Sequence, residues 1–232
     1  MNTENTKKDY AVSIGKGILG AIPIVGPLIA ETVGSIIPNQ RIDRINDFLL
    51  KLEEKIKDID QEQTKLRFKS EEFIDILEEG MLQAAKSLTK ERKEYIASLV
   101  ANGIKDEDIE HVQKKLILNL LNELNDAEII ILQSYGLPPG EEKEFFEQHK
   151  EILMPPPPAL RNQDPSLIDD RTLFDAQKSH LARLNLITPT YKKTKKGELP
   201  EFDPKTGMIK AQGYKITPLG RLLLKNIDLR TW

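Results

Sequence analysis

Between Gly17 and Ile37 the chain reads GILGAIPIVGPLIAETVGSII, 21 residues with a single charge at Glu31. As one helix at 1.5 Å per residue it would span about 31 Å, close to the thickness of a bilayer's hydrocarbon core. Pro23 and Pro27 each remove a backbone donor, and Gly17, Gly20, Gly26 and Gly34 weaken helix further. The segment therefore predicts a kinked helix, or two short helices joined around Pro23–Pro27. Such a run must be buried in a soluble hairpin or given to lipid, where Gly and Pro are well tolerated. In lipid the contacting side chains are Ile18, Leu19, Ile22, Ile24, Val25, Leu28, Ile29, Val33, Ile36 and Ile37. A signal peptide fits the basic start at Lys7 and Lys8 but not the prolines, the length or the missing A-x-A cleavage site. Basic residues flank the run on both sides (7, 8, 16, 41 and 44), so charge assigns no orientation.

The chain's formal charge of −3 divides unevenly. Residues 1–170 hold 21 basic and 32 acidic side chains, net −11; residues 171–232 hold 13 basic and 5 acidic, net +8. Asymmetry of this kind points to a nucleic-acid or membrane partner for the basic part, against the plainer reading of a solvated loop. With no cysteine and three histidines among 232 residues, thiolate metal sites, cysteine nucleophiles and disulfides are excluded. The same absence suits a reducing, cytoplasmic setting.

Beyond Pro38, Asn39 is placed to cap a helix whose apolar residues Ile42, Ile45, Leu49, Leu52, Ile56 and Ile59 recur at heptad spacing. Leu66 and Phe73 extend one line of that seam, which fits a long helix of an antiparallel bundle better than a dimeric coiled coil. Phe73, Leu77, Met81, Ala84 and Leu88 line a second helix. Thr89 opens a third, with Tyr95, Ile96, Leu99 and Val100 apolar and Gly103 at its end. Asp106 opens a fourth, carrying Ile109, Leu116, Leu120 and Leu124, widened by Ile117 and Leu121. The acidic cluster Asp106, Glu107, Asp108 and Glu110 beside His111 reads as helix N-terminal charge and not as a metal site.

Asn125 and Glu128 have capping-box spacing and open a helix over 127–135 that stops at Gly136. Helix follows over 141–153, then the extended run Pro155–Pro158. A helix over 172–186 precedes two β-prone segments, 187–191 and 214–217, joined by a polar, basic tip. Pro218 then starts a last helix behind Thr217.

HLARLNLITPTY and GYKITPLGRLLL together resemble the end of a winged helix, and LNDAEIIILQSYG looks like the first helix of such a module. The order is similar to that of winged-helix regulators of the multiple-antibiotic-resistance type. That resemblance implies that Lys192, Lys193, Lys195 and Lys196 are wing residues, with Lys178, His180 and Arg183 on or near a recognition helix and Lys215 on the returning strand. The long insert between first and last helices, with its proline run, departs from the pattern, and the recognition helix is poor in base-reading side chains. Phosphate contact survives that objection. Over the whole chain, Gly17–Arg44 and Tyr214–Leu224 resemble bacterial proteins grouped with abortive-infection phage defence. That likeness implies a non-enzymatic effector that disturbs membranes and is sensed or restrained through its winged helix.

No phosphate-binding glycine loop, H-E-x-x-H or G-x-S-x-G occurs, and Ser13-x-x-Lys16 has no partner motif. The expectation is thus a mainly α protein without enzymatic activity or cofactor. It comprises an apolar segment over 1–38, a helical bundle over 39–124 and a winged-helix-like α+β module over 125–232. Its partners are a membrane or further copies of itself through the N-terminal half, and nucleic acid or protein through the winged helix, with no small-molecule substrate. Two other functions stay open: a DNA-binding transcriptional regulator, and a helical adaptor that oligomerises through Ile42–Ile59.

Overall fold

The computed structural model of the chain describes residues 41–105, 111–157, 165–195, 197–203 and 207–230. The protein is mainly helical, with one small antiparallel sheet near its C-terminus. It divides into two compact units. One runs to Glu123 and also takes in Asn226–Asp228; the other holds Leu124–Lys225 and the residues after Asp228. The ten apolar side chains assigned to lipid, the Asn39 cap, the acidic cluster at 106–110 and Pro158 lie outside the described residues.

In the first unit, α1 (Ile42–Ile56), α3 (Glu71–Lys86), α4 (Lys90–Lys105) and α5 (His111–Glu123) pack around one core, with a short α2 (Gln61–Arg67) between the first two. The heptad seam is its centre: Ile45, Leu49, Leu52 and Ile56 are each at most 1% exposed, together with Phe48. Having been buried within the chain, this seam has no face left for a coiled-coil partner. The helix stops at Ile56, and α2 begins with a new phase, so Leu66 is 67% exposed and does not continue the seam. Leu88 lies past the Ser87 cap and is exposed for the same kind of reason. In α5 the buried stripe is Ile117, Leu118, Leu120 and Leu121, which leaves Leu116 outside. Gly103 does not end α4, which runs on to Lys105.

Two local devices allow the helices to approach. Gly80 of α3 faces α4, and a Cβ there would lie 3.0 Å from Val100 Cγ2. Near the ends of α3, α4 and α5, where carbonyls run out of partners in their own helix, cationic side chains from a neighbour meet them. Arg44 Nη1 donates to Ala85 O at the end of α3 (3.1 Å), Lys114 Nζ to Gly103 O of α4 (2.9 Å) and Arg92 Nη1 to Leu121 O of α5 (2.8 Å). Gln83, almost fully buried, donates across to Leu118 O at 3.2 Å. Thr89 Oγ1 accepts from Arg92 N, the N-cap expected at that position.

Along α1 and α4 runs a row of charge. The nearly buried Lys93 pairs with Asp47, and Glu94 takes Lys51 at 3.0 Å and Lys55 at 2.8 Å. Lys55 also meets Asp228 at 3.1 Å, whose other carboxylate oxygen accepts from Asn102 Nδ2 at 3.0 Å. Asn102 donates as well to the carbonyl of Asn226, so this unit is completed by residues more than a hundred positions along the chain. Burial pushes the Glu94 and Asp228 carboxyls up, but the hydrogen bonds and charges of Lys55, Lys51 and Asn102 hold both below their ordinary values. Lys55 is lowered by burial and raised more by Glu94 and Asp228, ending above the usual lysine value.

Unit two is built from α6 (Asp126–Ser134), α7 (Glu142–Gln148), α8 (Lys150–Leu153), α9 (Pro165–Arg183), the hairpin β1 (Ile187–Tyr191) and β2 (Ala211–Ile216), and α10 (Pro218–Asn226). The capping box is present: Asn125 Oδ1 accepts from Glu128 N at 2.8 Å, and Glu128 Oε2 accepts from Asn125 N at 2.9 Å. The single helix expected over 141–153 is broken at His149 into α7 and α8. Helix α9 starts at Pro165, seven residues before the expected Thr172, with proline in the first turn where its missing N–H costs nothing.

Two outcomes are expected. Gly80→Leu forces side-chain volume into the α3–α4 contact and should lower unfolding free energy by roughly 1–3 kcal/mol in a denaturant titration. Because the Glu94 and Asp228 carboxyls are depressed, their stabilisation is complete above about pH 5 and is lost as pH falls through the native values. Asp228→Asn should therefore flatten the acid limb of a stability–pH profile, whereas an unchanged limb would contradict the cluster's role.

Candidate functional site

The expected binding residues gather about the hairpin, and one carbonyl determines how that hairpin is held. Helix α9 ends in a left-handed turn at Asn185 (φ 57°). Leu186 N donates to Leu181 O and Asn185 N to Ala182 O, both at 3.0 Å, and Leu181 and Leu186 are fully buried beside one another in sequence register. The Leu186 carbonyl then accepts from Thr217 N at 3.0 Å, while the Thr217 hydroxyl donates to the Asn185 carbonyl at 2.7 Å, with Leu186 O a longer 3.1 Å away. Thr217 Oγ1 in turn accepts from Gly220 N at 3.0 Å, capping α10. A Cβ on Gly220 would come within 2.3 Å of that same Leu186 carbonyl, which accounts for the glycine in the ITPLG sequence.

The strands pair antiparallel, Ile187 opposite Ile216 through Thr190 opposite Gly213, with a bulge before Tyr191–Ala211. Pro189 has no N–H to offer and is tolerated because the sheet has only two strands. Beyond the bulge the loop closes again in a smaller turn: Phe202 bridges Ile209, Lys210 N donates to Glu201 O, and Asp203 N donates to Met208 O, each bond 2.8 Å. Leu199, Phe202, Met208 and Ile209 are exposed there, a mixed apolar and basic tip. Lys210 and Glu201 pair at 2.6 Å; their hydrogen bond raises the lysine and lowers the carboxyl.

Lys192, Lys193 and Lys195 lie exposed on the loop that leaves β1, and Lys215 is exposed on β2 opposite Thr188. Arg183 is exposed at the end of α9, and Lys196 lies outside the described residues. Lys178 does not join them. It is half-buried, with Nζ 4.4 Å from the centre of the Phe174 ring, and lines a cavity between α6, α7, α8 and α9. Burial lowers its pKa, offset by Asp175 and reinforced by Arg171. His180 turns to α6, where Nδ1 meets the buried Glu128 Oε1 at 2.8 Å. Helix α9 also presents Asp169, Asp170 and Asp175 to solvent, three carboxylates on the element compared with a recognition helix.

Among the described residues, no group of three or more His, Cys, Asp or Glu side chains could hold a metal ion, and His111 Nε2 is engaged by Asp75 Oδ2 at 3.1 Å. None of the described helices is long and apolar enough to cross a membrane. The cavity holding Lys178 went unread in the sequence because its walls come from four separate elements. The only local signal was the aromatic pair Phe145–Phe146 on a short helix. Comparison of the chain with protein-family models, curated proteins and solved structures finds no match.

Gly220→Ala should separate α10 from the hairpin base and cost roughly 3 kcal/mol of stability. The check is thermal unfolding of the variant beside Leu219→Ala, whose position is not against the Leu186 carbonyl; equal midpoints for Gly220→Ala and the parent would refute this account.

Proposed function

We propose that the chain is a non-enzymatic effector of the bacterial phage-defence type, which acts on membranes through Gly17–Ile37 and is regulated through a winged-helix module in its second unit. The observation that carries this reading is the combination of a membrane-length apolar run with a second unit of helices, hairpin and closing helix, in which the chain's basic excess is confined to the residues from 171 on. The order α6, α7–α8, α9, β1–β2 supports the winged-helix comparison, with the loop over 192–210 as its wing.

DNA regulation is the second reading, favoured by the exposed Lys192, Lys193, Lys195 and Lys215 on one hairpin. Against base readout stand the carboxylates Asp169, Asp170 and Asp175 of α9, which would face phosphate, and the diversion of Lys178 into a cavity. Regulation by protein or ligand contact suits such a helix better than sequence reading. An adaptor that pairs through the Ile42–Ile59 seam is disfavoured because that seam is core.

Dye release from vesicles containing phosphatidylglycerol tests the first reading. The full chain should release dye, and deletion of residues 11–38 should abolish release while leaving the helical circular dichroism signal of the rest. Equal leakage with and without those residues would end the membrane proposal. Duplex DNA affinity measured against salt in parallel tests the second: phosphate contact predicts a steep slope that shrinks by about one for each of Lys192, Lys193 and Lys195 replaced by Ala.

A further inference from the structure

Between α6, α7, α8 and α9 lies a cavity of about 230 Å³. Its walls are aromatic and aliphatic: Tyr135 from α6, Phe145 and Phe146 from α7, Leu153 from α8 and Phe174 from α9. At the packing density of protein interiors this is room for roughly ten non-hydrogen atoms. One cation enters it. Lys178 stands one turn after Phe174, its ammonium over that ring, and has neither a hydrogen-bond nor an ion-pair partner among the described residues.

The carboxylates near Lys178 are committed elsewhere. Asp175 is held by Arg171 Nε at 3.2 Å, and Arg171 Nη1 also donates to Pro156 O. Glu142 lines the cavity, but its Oε2 accepts from Gly140 N at 2.7 Å in the turn that precedes α7. Ser134 Oγ is turned to Ile131 O at 2.7 Å. Tyr135 lines the cavity while its ring meets that of Tyr214, and burial together with Tyr214 raises its pKa. A half-buried ammonium whose acidic neighbour Asp175 is held by Arg171 carries a cost that the Phe174 ring offsets only in part. An apolar chamber with one cation at its wall that lacks a hydrogen-bonded or ion-paired partner among the described residues suits an amphipathic anion.

We propose that this cavity binds a small monocarboxylate with an aromatic or branched aliphatic body, its head on Lys178 and its body among Phe145, Phe146, Leu153 and Phe174. The single cation matches a single negative charge, and the Glu142 carboxylate disfavours a dianion. A cationic ligand would meet Lys178, and a neutral one would leave it unpaired. This ligand site goes beyond the membrane reading and does not rest on it, since binding is measured in the absence of lipid.

The test titrates the full chain with phenylacetate and 4-methylpentanoate by isothermal calorimetry and ligand-observed NMR, beside 2-phenylethanol and phenyl phosphate as the neutral and dianionic controls. At least one carboxylate should bind saturably at one site, with both controls weaker by about tenfold or more. Lys178→Met keeps the side-chain length and removes the charge; it should weaken the carboxylate by about tenfold while holding or raising the thermal midpoint. Lys178→Arg should restore most of the affinity. Saturable binding of neither carboxylate at about 10 mM, equal binding of the alcohol or the phosphate, or unchanged affinity in Lys178→Met would each overturn the proposal.

Discussion

A helix leaves the carbonyls of its last turn without partners, and a chain made of short helices meets that problem many times over. Here it is solved differently in the two units. In the first, cationic side chains cross from neighbouring helices, so that Arg44, Arg92 and Lys114 each close a helix other than their own. The bonds complement the negative end of the helix dipole and also fix which helix lies beside which. Apolar contact alone is indifferent to sliding; a guanidinium on a particular carbonyl is not. The helices of the second unit end instead where the chain turns on itself, through left-handed Asn185 after α9 and, where the chain returns to the first unit after α10, left-handed Asp228. Non-glycine residues in that region are mostly Asn and Asp, whose short polar side chains make it bearable.

Solving the helix end at Asn185 leaves the Leu186 carbonyl pointing at the start of α10, and the rest of the module is arranged around it. Thr217 gives its N–H there and its hydroxyl to the adjoining Asn185 carbonyl, Gly220 gives up its side chain to allow the approach, and the hairpin between is thereby held at its base. The loop over 192–210 carries its own small turn and an exposed mixture of lysine and apolar side chains, a surface shaped for contact and not for folding.

Much of this was legible from local spacing. The seam at Ile45, Leu49, Leu52 and Ile56, the Asn125–Glu128 box and the Thr217–Pro218 start each depend on residues within a turn or two of one another. Errors fell where phase had to be carried across a break. Leu66 matches the seam only if the helix continues through Lys57–Asp60, and Leu88 joins its face only if α3 passes Ser87. Residues 165–171 offer no apolar stripe, so the true start of α9 had no periodic signal. Lys178 is the instructive case on the functional side. A lysine on a basic segment reads as solvent-facing, and only the convergence of four elements shows that it faces an aromatic wall.

Asn226–Asp228 belongs to the first unit although the second lies between in sequence, and Lys55 finds Asp228 across 173 positions. During synthesis, then, the helical bundle stands finished in its core but unclosed at its charged edge while the intervening hundred residues are made, a delay of roughly ten seconds at ordinary elongation rates. The charged edge of the bundle therefore closes only after Leu124–Lys225 of the second unit has been made.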